Sequence, residues 1–166
     1  MAFTIADLEE LPRGTRAEVH DGNLYVIFPA RLWHQYVEQK LCNLLEQAGR
    51  FAFTQVGVLN TAKDTRVAEV GVFYDQPTDP NAAWHDPAAL ALVAEVWSPS
   101  SDKKDRNPSW YAERGIPEYW LAEPIEGDPW GALVTMYELA NTLAGSTEYV
   151  ERRRATLAEL QLNGLS

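Results

Sequence analysis

Residues 91–111 read "ALVAEVWSPSSDKKDRNPSWY". From Leu90 to Trp97 the side chains are almost continuously apolar, the pattern of a strand buried on both faces, yet Glu95 stands inside the run. Alternate side chains of a strand share a face, so Glu95 goes with Val93 and Trp97. Ser, Pro and a group of charges follow at once, and a short helix is expected over residues 108–114, stopped by Gly115 and Pro117.

Upstream, "RVAEVGVFYD" (66–75) is a second mainly apolar strand, and Glu69 is its only ionisable residue between Val67 and Tyr74. The polar turn "TAKD" (61–64) joins it to another strand, "FAFTQVGVLN" (51–60). Before these, Val37, Leu41, Leu44 and Leu45 recur at helical spacing between Leu32 and Gln47, with Gly49 placed to end the helix. "RAEVHDGNLYVIF" (16–28) reads as a hairpin turning at Asp21-Gly22, where φ must be positive. "TIADLEEL" (4–11) reads as a short helix in which Thr4 and Asp7 form a capping box. Residues 75–88, with three prolines, are expected to form an irregular surface loop that includes His85-Asp86 as a turn pair. Further strands are expected at "EYWLA" (118–122), "ALVTMYEL" (132–139) and "TEYVERR" (147–153), before a tail over 155–166. The expected class is α/β (mixed α+β): a central mixed β-sheet flanked by helices, in one domain over residues 1–166.

The composition agrees. A chain of 166 residues that is 46% hydrophobic can bury a sizeable core. The single cysteine, Cys42, lies in the main helix and reads as a small apolar residue, so a reducing, cytoplasmic setting is expected. No stretch approaches the roughly 20 apolar residues of a membrane span, so no membrane partner is expected. The net charge of −10, from 24 acids and 14 bases, disfavours non-specific adhesion to nucleic acid. A nucleic-acid function must then rest on a local basic patch or on a metal ion held by the acids.

An ionised carboxylate buried without a partner costs roughly several kcal/mol. Two apolar strands that each keep one internal acid therefore need an explanation. A hard divalent ion bridging Glu69 and Glu95 supplies one, since Mg²⁺ is commonly held by one or two carboxylates together with waters and phosphate oxygens. The plainer reading is that either acid points out at a strand edge or meets a buried arginine.

The segments "TIADLEELPRGTRAEVHDGNLYVIFPARLWHQYVEQKL", "RVAEVGVF" and "ALVAEVWSPSSDKKDRNPSWYAERGIPEYWLAEP" resemble the Uma family of restriction endonucleases, a branch of the PD-(D/E)XK nuclease superfamily. The resemblance spans residues 3–124, and "EVWSPS" followed by "YAERGIPEYWL" carries most of it. It implies a restriction-endonuclease-like fold and hydrolysis of DNA phosphodiester bonds with Mg²⁺ or Mn²⁺. Members use an acid after a proline on one strand, a Glu on the next, and a Lys on the following helix. Carried onto this chain, the acids are Glu69 and Glu95, with Glu18 or a backbone carbonyl near Val96 completing the metal shell. His34 matches a family histidine that lines the cleft or holds a water; a structural histidine is the plainer reading.

This chain departs from the family in three places. Ala68-Glu69 stands for the usual Pro-Asp, which keeps the carboxylate on a longer arm. Trp97 occupies the strand position where the wider superfamily often has its Lys. The family's helix Lys, four residues before Tyr111, is Asn107 here. Lys103 and Lys104, in a loop shorter than the family's, are the local amines available to replace it; as solvated loop lysines they would do nothing. Arg152, Arg153 and Arg154 form a basic run that reads first as a solvated strand end, and Trp110 and Trp120 read as core.

Two functional classes follow. One is a metal-dependent endonuclease acting on DNA. The other is a catalytically inactive member serving as a binding or scaffolding module, expected as a homodimer and favoured by Asn107 and the acidic balance. Hydrolysis of another phosphate-containing substrate at the same metal site is a weaker third.

Overall fold

The computed structural model describes residues 1–97 and 108–165 of the chain. Helix α1 (Ile5–Glu9) leads into the hairpin β1 (Arg16–His20) and β2 (Asn23–Ile27), followed by the main helix α2 (Leu32–Gln47). Strands β3 (Phe51–Thr61) and β4 (Asp64–Phe73) form a second hairpin, and β5 (Trp84–His85) and β6 (Leu90–Val96) follow. After α3 (Pro108–Glu113) come β7 (Glu118–Ile125), β8 (Asp128–Asn141), β9 (Thr147–Thr156) and α4 (Leu157–Asn163).

Local chemistry accounts for most boundaries. The Asp7 carboxylate accepts from the Thr4 backbone N–H at 2.7 Å, the capping interaction expected before α1. Asp21 and Gly22 both take positive φ, 48° and 81°, as a two-residue hairpin turn with right-handed strand twist demands. Helix α2 ends where Gly49, also at positive φ, donates its N–H to the Glu46 carbonyl at 2.9 Å.

Strands β1 and β2 pair only with each other, while the remaining strands form a seven-stranded sheet in the order β5-β3-β4-β6-β7-β8-β9. The β6–β7 and β3–β5 pairs are parallel and the others antiparallel, so the sheet is mixed as expected. One face buries Val70, Leu92, Ala94 and Trp120 against Val37, Leu41 and Leu45 of α2 and Leu160 of α4. The other buries Ala68, Val93, Tyr119 and Leu121 against Trp110 and Tyr111 of α3. Every residue of β6 is buried, as the unbroken hydrophobicity of a central strand predicts.

Strict alternation would put Ala68 and Val70 on the same face, but they pack into opposite cores. The β3–β4 register supplies the reason. It runs from Thr54↔Val70 to Val56↔Ala68 and passes over the intervening positions, Gln55 and Glu69. Gln55 has φ 55°, an uncommon value for a residue with a side chain, so the hairpin is kinked there and each strand turns over at the kink. Glu69 sits at that turning point.

Three local expectations are corrected. The loop over 75–88 contains β5, which pairs with β3 through Gly57↔Trp84 and Val58↔His85, so His85 is a strand residue. A Cβ at Gly57 would lie 2.3 Å from the Ala83 carbonyl oxygen and 2.6 Å from the Trp84 ring, so only glycine lets β5 approach this closely. The tail holds α4, started by a second capping box in which the Thr156 hydroxyl accepts from the Glu159 N–H at 3.1 Å. Asp64, expected in a turn, is the first residue of β4 and is buried.

Asp64 anchors α3 to the sheet. Its carboxylate accepts from Arg66 at 2.9 Å, Asn60 at 2.9 Å, the Trp110 indole at 3.0 Å and Arg114 at 3.3 Å. The two guanidinium groups also lie over the Trp110 ring, 4.7 and 4.1 Å from its centroid. Burial pushes the Asp64 pKa up, but these donors outweigh it and hold the group below the usual range. Trp110 and Trp120 are core residues, as expected. Among the described residues no helix is long and apolar enough to cross a membrane.

Candidate active site

Strands β4 and β6 are paired from Phe73↔Leu90 to Val70↔Ala94, where the ladder stops. The next residues beyond that pair are Glu69 and Glu95. Strand β6 continues against β7 alone, through Glu95↔Leu121 and Val96↔Ala122, while β4 bends away at the Gln55 kink with β3 and contacts β1. The two acids picked out from the apolar runs thus flank the point where the central strands part. Helix α2 covers this fork from one side and α3 from the other.

Glu95 is 5% exposed, and the Tyr119 hydroxyl donates to its Oε2 at 2.8 Å. Tyr119 comes from the adjacent strand and stacks on Tyr149 with ring centroids 5.2 Å apart, which holds the donor in place. A quarter of the Glu69 side chain remains open to solvent. Burial drives its pKa well above the carboxylate range; the Glu38 and Glu18 charges add to the rise, and the nearby backbone of Glu69 itself and of Val96 opposes it.

Glu18 belongs to this cluster as a fixed wall. Its Oε1 accepts from the Val67 N–H at 2.7 Å and its Oε2 meets His20 Nε2 at 2.7 Å, which ties β1 to β4 beside Glu69. His34 on α2 lies between two acids, with Nδ1 3.6 Å from Glu38 and Nε2 3.5 Å from Glu69. Burial lowers its pKa, against the opposing pull of Glu38, so the ring is neutral near pH 7.

Glu38 was missed by the sequence reading. It is buried on α2, its Oε1 accepts from Gln55 Nε2 at 2.7 Å, and burial raises its pKa against the opposing pull of that bond. A signal was present: Glu38 lies one turn after His34, between Val37 and Leu41 on the apolar stripe. The contact also uses the kink, since Gln55 reaches Glu38 from its positive-φ position.

Lys103, Lys104 and Asn107 lie outside the described residues. Arg152, Arg153 and Arg154 are exposed on β9, an edge strand three places from β6 in the sheet. Arg152 pairs with Glu138 at 3.3 Å, Arg154 pairs with Glu151, and Arg153 donates to the Leu165 carbonyl. They do not enter the fork. The grooves lined by Arg50, Phe73, Tyr74 and Glu118, or by residues of the loop before β5, sit at the opposite end of the strands.

The donor set at the fork is all hard oxygen: Glu69, Glu95 and Glu18. Among the described residues no three acidic, histidine or cysteine side chains converge into a ready-made metal cage. A pair of carboxylates with open positions suits Mg²⁺ or Mn²⁺, which keep several waters.

Comparisons with known proteins bear on the family and the fold. A crystal structure titled as that of "a putative nuclease belonging to DUF820" from Anabaena variabilis ATCC 29413 aligns with a TM-score of 0.63 and 18% identity, covering 90% of this chain and 85% of that one. At that identity the likeness establishes the fold. No curated protein matches the chain. The model of the family Uma2, described as "Putative restriction endonuclease", matches residues 5–166, which takes in α1, the fork and α4 alike. With the acids at the fork and the match running almost end to end, the chain belongs to the Uma2 family.

Proposed function

We propose that the protein is a metal-dependent endonuclease that hydrolyses DNA phosphodiester bonds at the β4–β6 fork. The observation that carries this reading is the pair of acids, Glu69 and Glu95, placed immediately beyond the last β4–β6 pair. Glu69 and Glu95 would hold Mg²⁺ or Mn²⁺. When bound, such an ion neutralises charge on the scissile phosphate and lowers the pKa of an attacking water.

The chain's own groups prepare the site. Tyr119 fixes one oxygen of Glu95 by donating to it at 2.8 Å. The Val67 N–H and His20 immobilise Glu18, which adds negative potential that draws a cation in. Neutral His34 borders Glu69 without adding a competing positive charge. Lys103, Lys104 or Asn107 would offer hydrogen-bond donors to the negative charge that develops on phosphate oxygens.

The test is nicking of supercoiled plasmid DNA in Mg²⁺ and in Mn²⁺ by the wild type, Glu69→Gln and Glu95→Gln. The reading expects cleavage by the wild type and a loss of about a hundredfold or more in each variant. Equal residual cleavage in all three proteins would sink it. The second reading, a binding module without catalysis, is favoured by Asn107 at the family's lysine position. It expects DNA retention in a gel-shift assay without nicking, and Asn107→Lys would then be the variant to restore cleavage.

A further inference from the structure

Tyr111 on α3 is completely buried, and its hydroxyl oxygen has no hydrogen-bond partner among the described residues. Burying a hydroxyl without a partner costs about 1–3 kcal/mol, and phenylalanine would fill the same space without that cost. The neighbouring tyrosines differ: Tyr119 donates to Glu95 at 2.8 Å and Tyr149 to the Ile116 carbonyl at 2.7 Å. The Tyr111 ring is wedged edge-on to Trp110 at 5.3 Å between centroids and tilted against Tyr119 at 6.1 Å, so its hydroxyl cannot swing to a distant partner. Glu95, Glu18 and Glu69 all lie close enough to act on it electrostatically. One unused donor among these acceptors points to a small polar group that belongs between them.

We infer that the Tyr111 hydroxyl is a positioning donor of the acidic site, hydrogen-bonding a water that hydrates the divalent cation held by Glu69 and Glu95 and thereby setting cation affinity. The inference rests on the metal-dependent reading above and adds a residue to it. Donation is the direction the surroundings allow, because burial and the three carboxylates keep the phenol protonated. The residue acts from below the fork, through water. Partners of this outer kind typically change metal affinity by about 10–100-fold.

The experiment is calorimetric titration of MnCl₂ into the wild type, Tyr111→Phe and Glu69→Gln, with thermal unfolding of each in the absence of divalent ions. Glu69→Gln should abolish the binding seen with the wild type. Tyr111→Phe should weaken it by about tenfold while unfolding at the same temperature as the wild type or higher, because it removes only an unsatisfied oxygen. Unchanged Mn²⁺ affinity in Tyr111→Phe, with binding lost in Glu69→Gln, would overturn this inference and leave the metal reading standing. A clear fall in the ion-free unfolding temperature of Tyr111→Phe would also overturn it, since the hydroxyl would then have a structural partner. No Mn²⁺ uptake by the wild type would remove the metal reading and this inference together.

Discussion

Glu69 is held where its charge is least welcome, deep beside Glu18 and Glu38, and a residue so placed weakens the fold that carries it. Glu69→Gln should therefore stabilise the ion-free protein near pH 8 by roughly 1–2 kcal/mol, read as a higher midpoint in urea. Tyr119→Phe should do the opposite. It removes the hydroxyl that satisfies a nearly buried carboxylate, and a loss of about 1–3 kcal/mol is expected in the same measurement. Glu69 and Glu95 were legible in the sequence because each interrupts an otherwise apolar strand. Glu38 was legible only to a reading that asked which acids share the buried stripe of α2. Gln55 carries no such mark: its positive φ arises from the kink, and a glutamine in a strand gives no warning of it.

Among the elements, α3 depends on one anchor. Asp64→Ala would leave Arg66 and Arg114 facing a vacated buried site and remove the acceptor of the Trp110 indole, so a loss of about 3–5 kcal/mol is expected from denaturant unfolding. The pH dependence has a fixed sign. Asp64 has a folded pKa below its unfolded value, so its stabilisation is present above the ordinary aspartate pKa and disappears as pH falls through the folded one. Asp64→Asn should accordingly flatten the acid limb of the unfolding-temperature profile and leave its alkaline limb unchanged. The hairpins, α2 and the central strands followed from periodicity and turn chemistry. Helix α4 had a readable start in Thr156 and Glu159, but its few apolar residues, Leu157 and Leu160 among them, give too short a pattern to stand out. Strand β5 is two residues long and exists only because Gly57 lets Trp84 approach, a tertiary fact with no local signature.

For the molecule as a whole, a net charge of −10 means that any attraction to DNA must be local. The arginine run on β9 is the obvious candidate by composition, yet it is spent on Glu138, Glu151 and the Leu165 carbonyl and lies strands away from the fork. Replacing Arg152, Arg153 and Arg154 together with alanine should leave DNA affinity within about twofold at a given salt concentration, by fluorescence anisotropy. A larger loss would move the DNA path across β8 and β9. The mixed sheet was readable in outline because strands and helices succeed one another with little ambiguity. The order of its strands was not, because pairing partners far apart in the chain are chosen by packing.

The central ladder between β4 and β6 has a practical consequence, because it is a seam as well as a site. The N-terminal side contributes Glu18, His34, Glu38 and Glu69, and the C-terminal side contributes Glu95, Tyr111 and Tyr119. The covalent link between them is the connection from Phe73 to Leu90, most of it outside regular structure. If the chain is divided there, each fragment carries half of the acidic pair and neither carries both. Two such fragments, fused to proteins that bind each other, would make cation uptake a readout of their meeting.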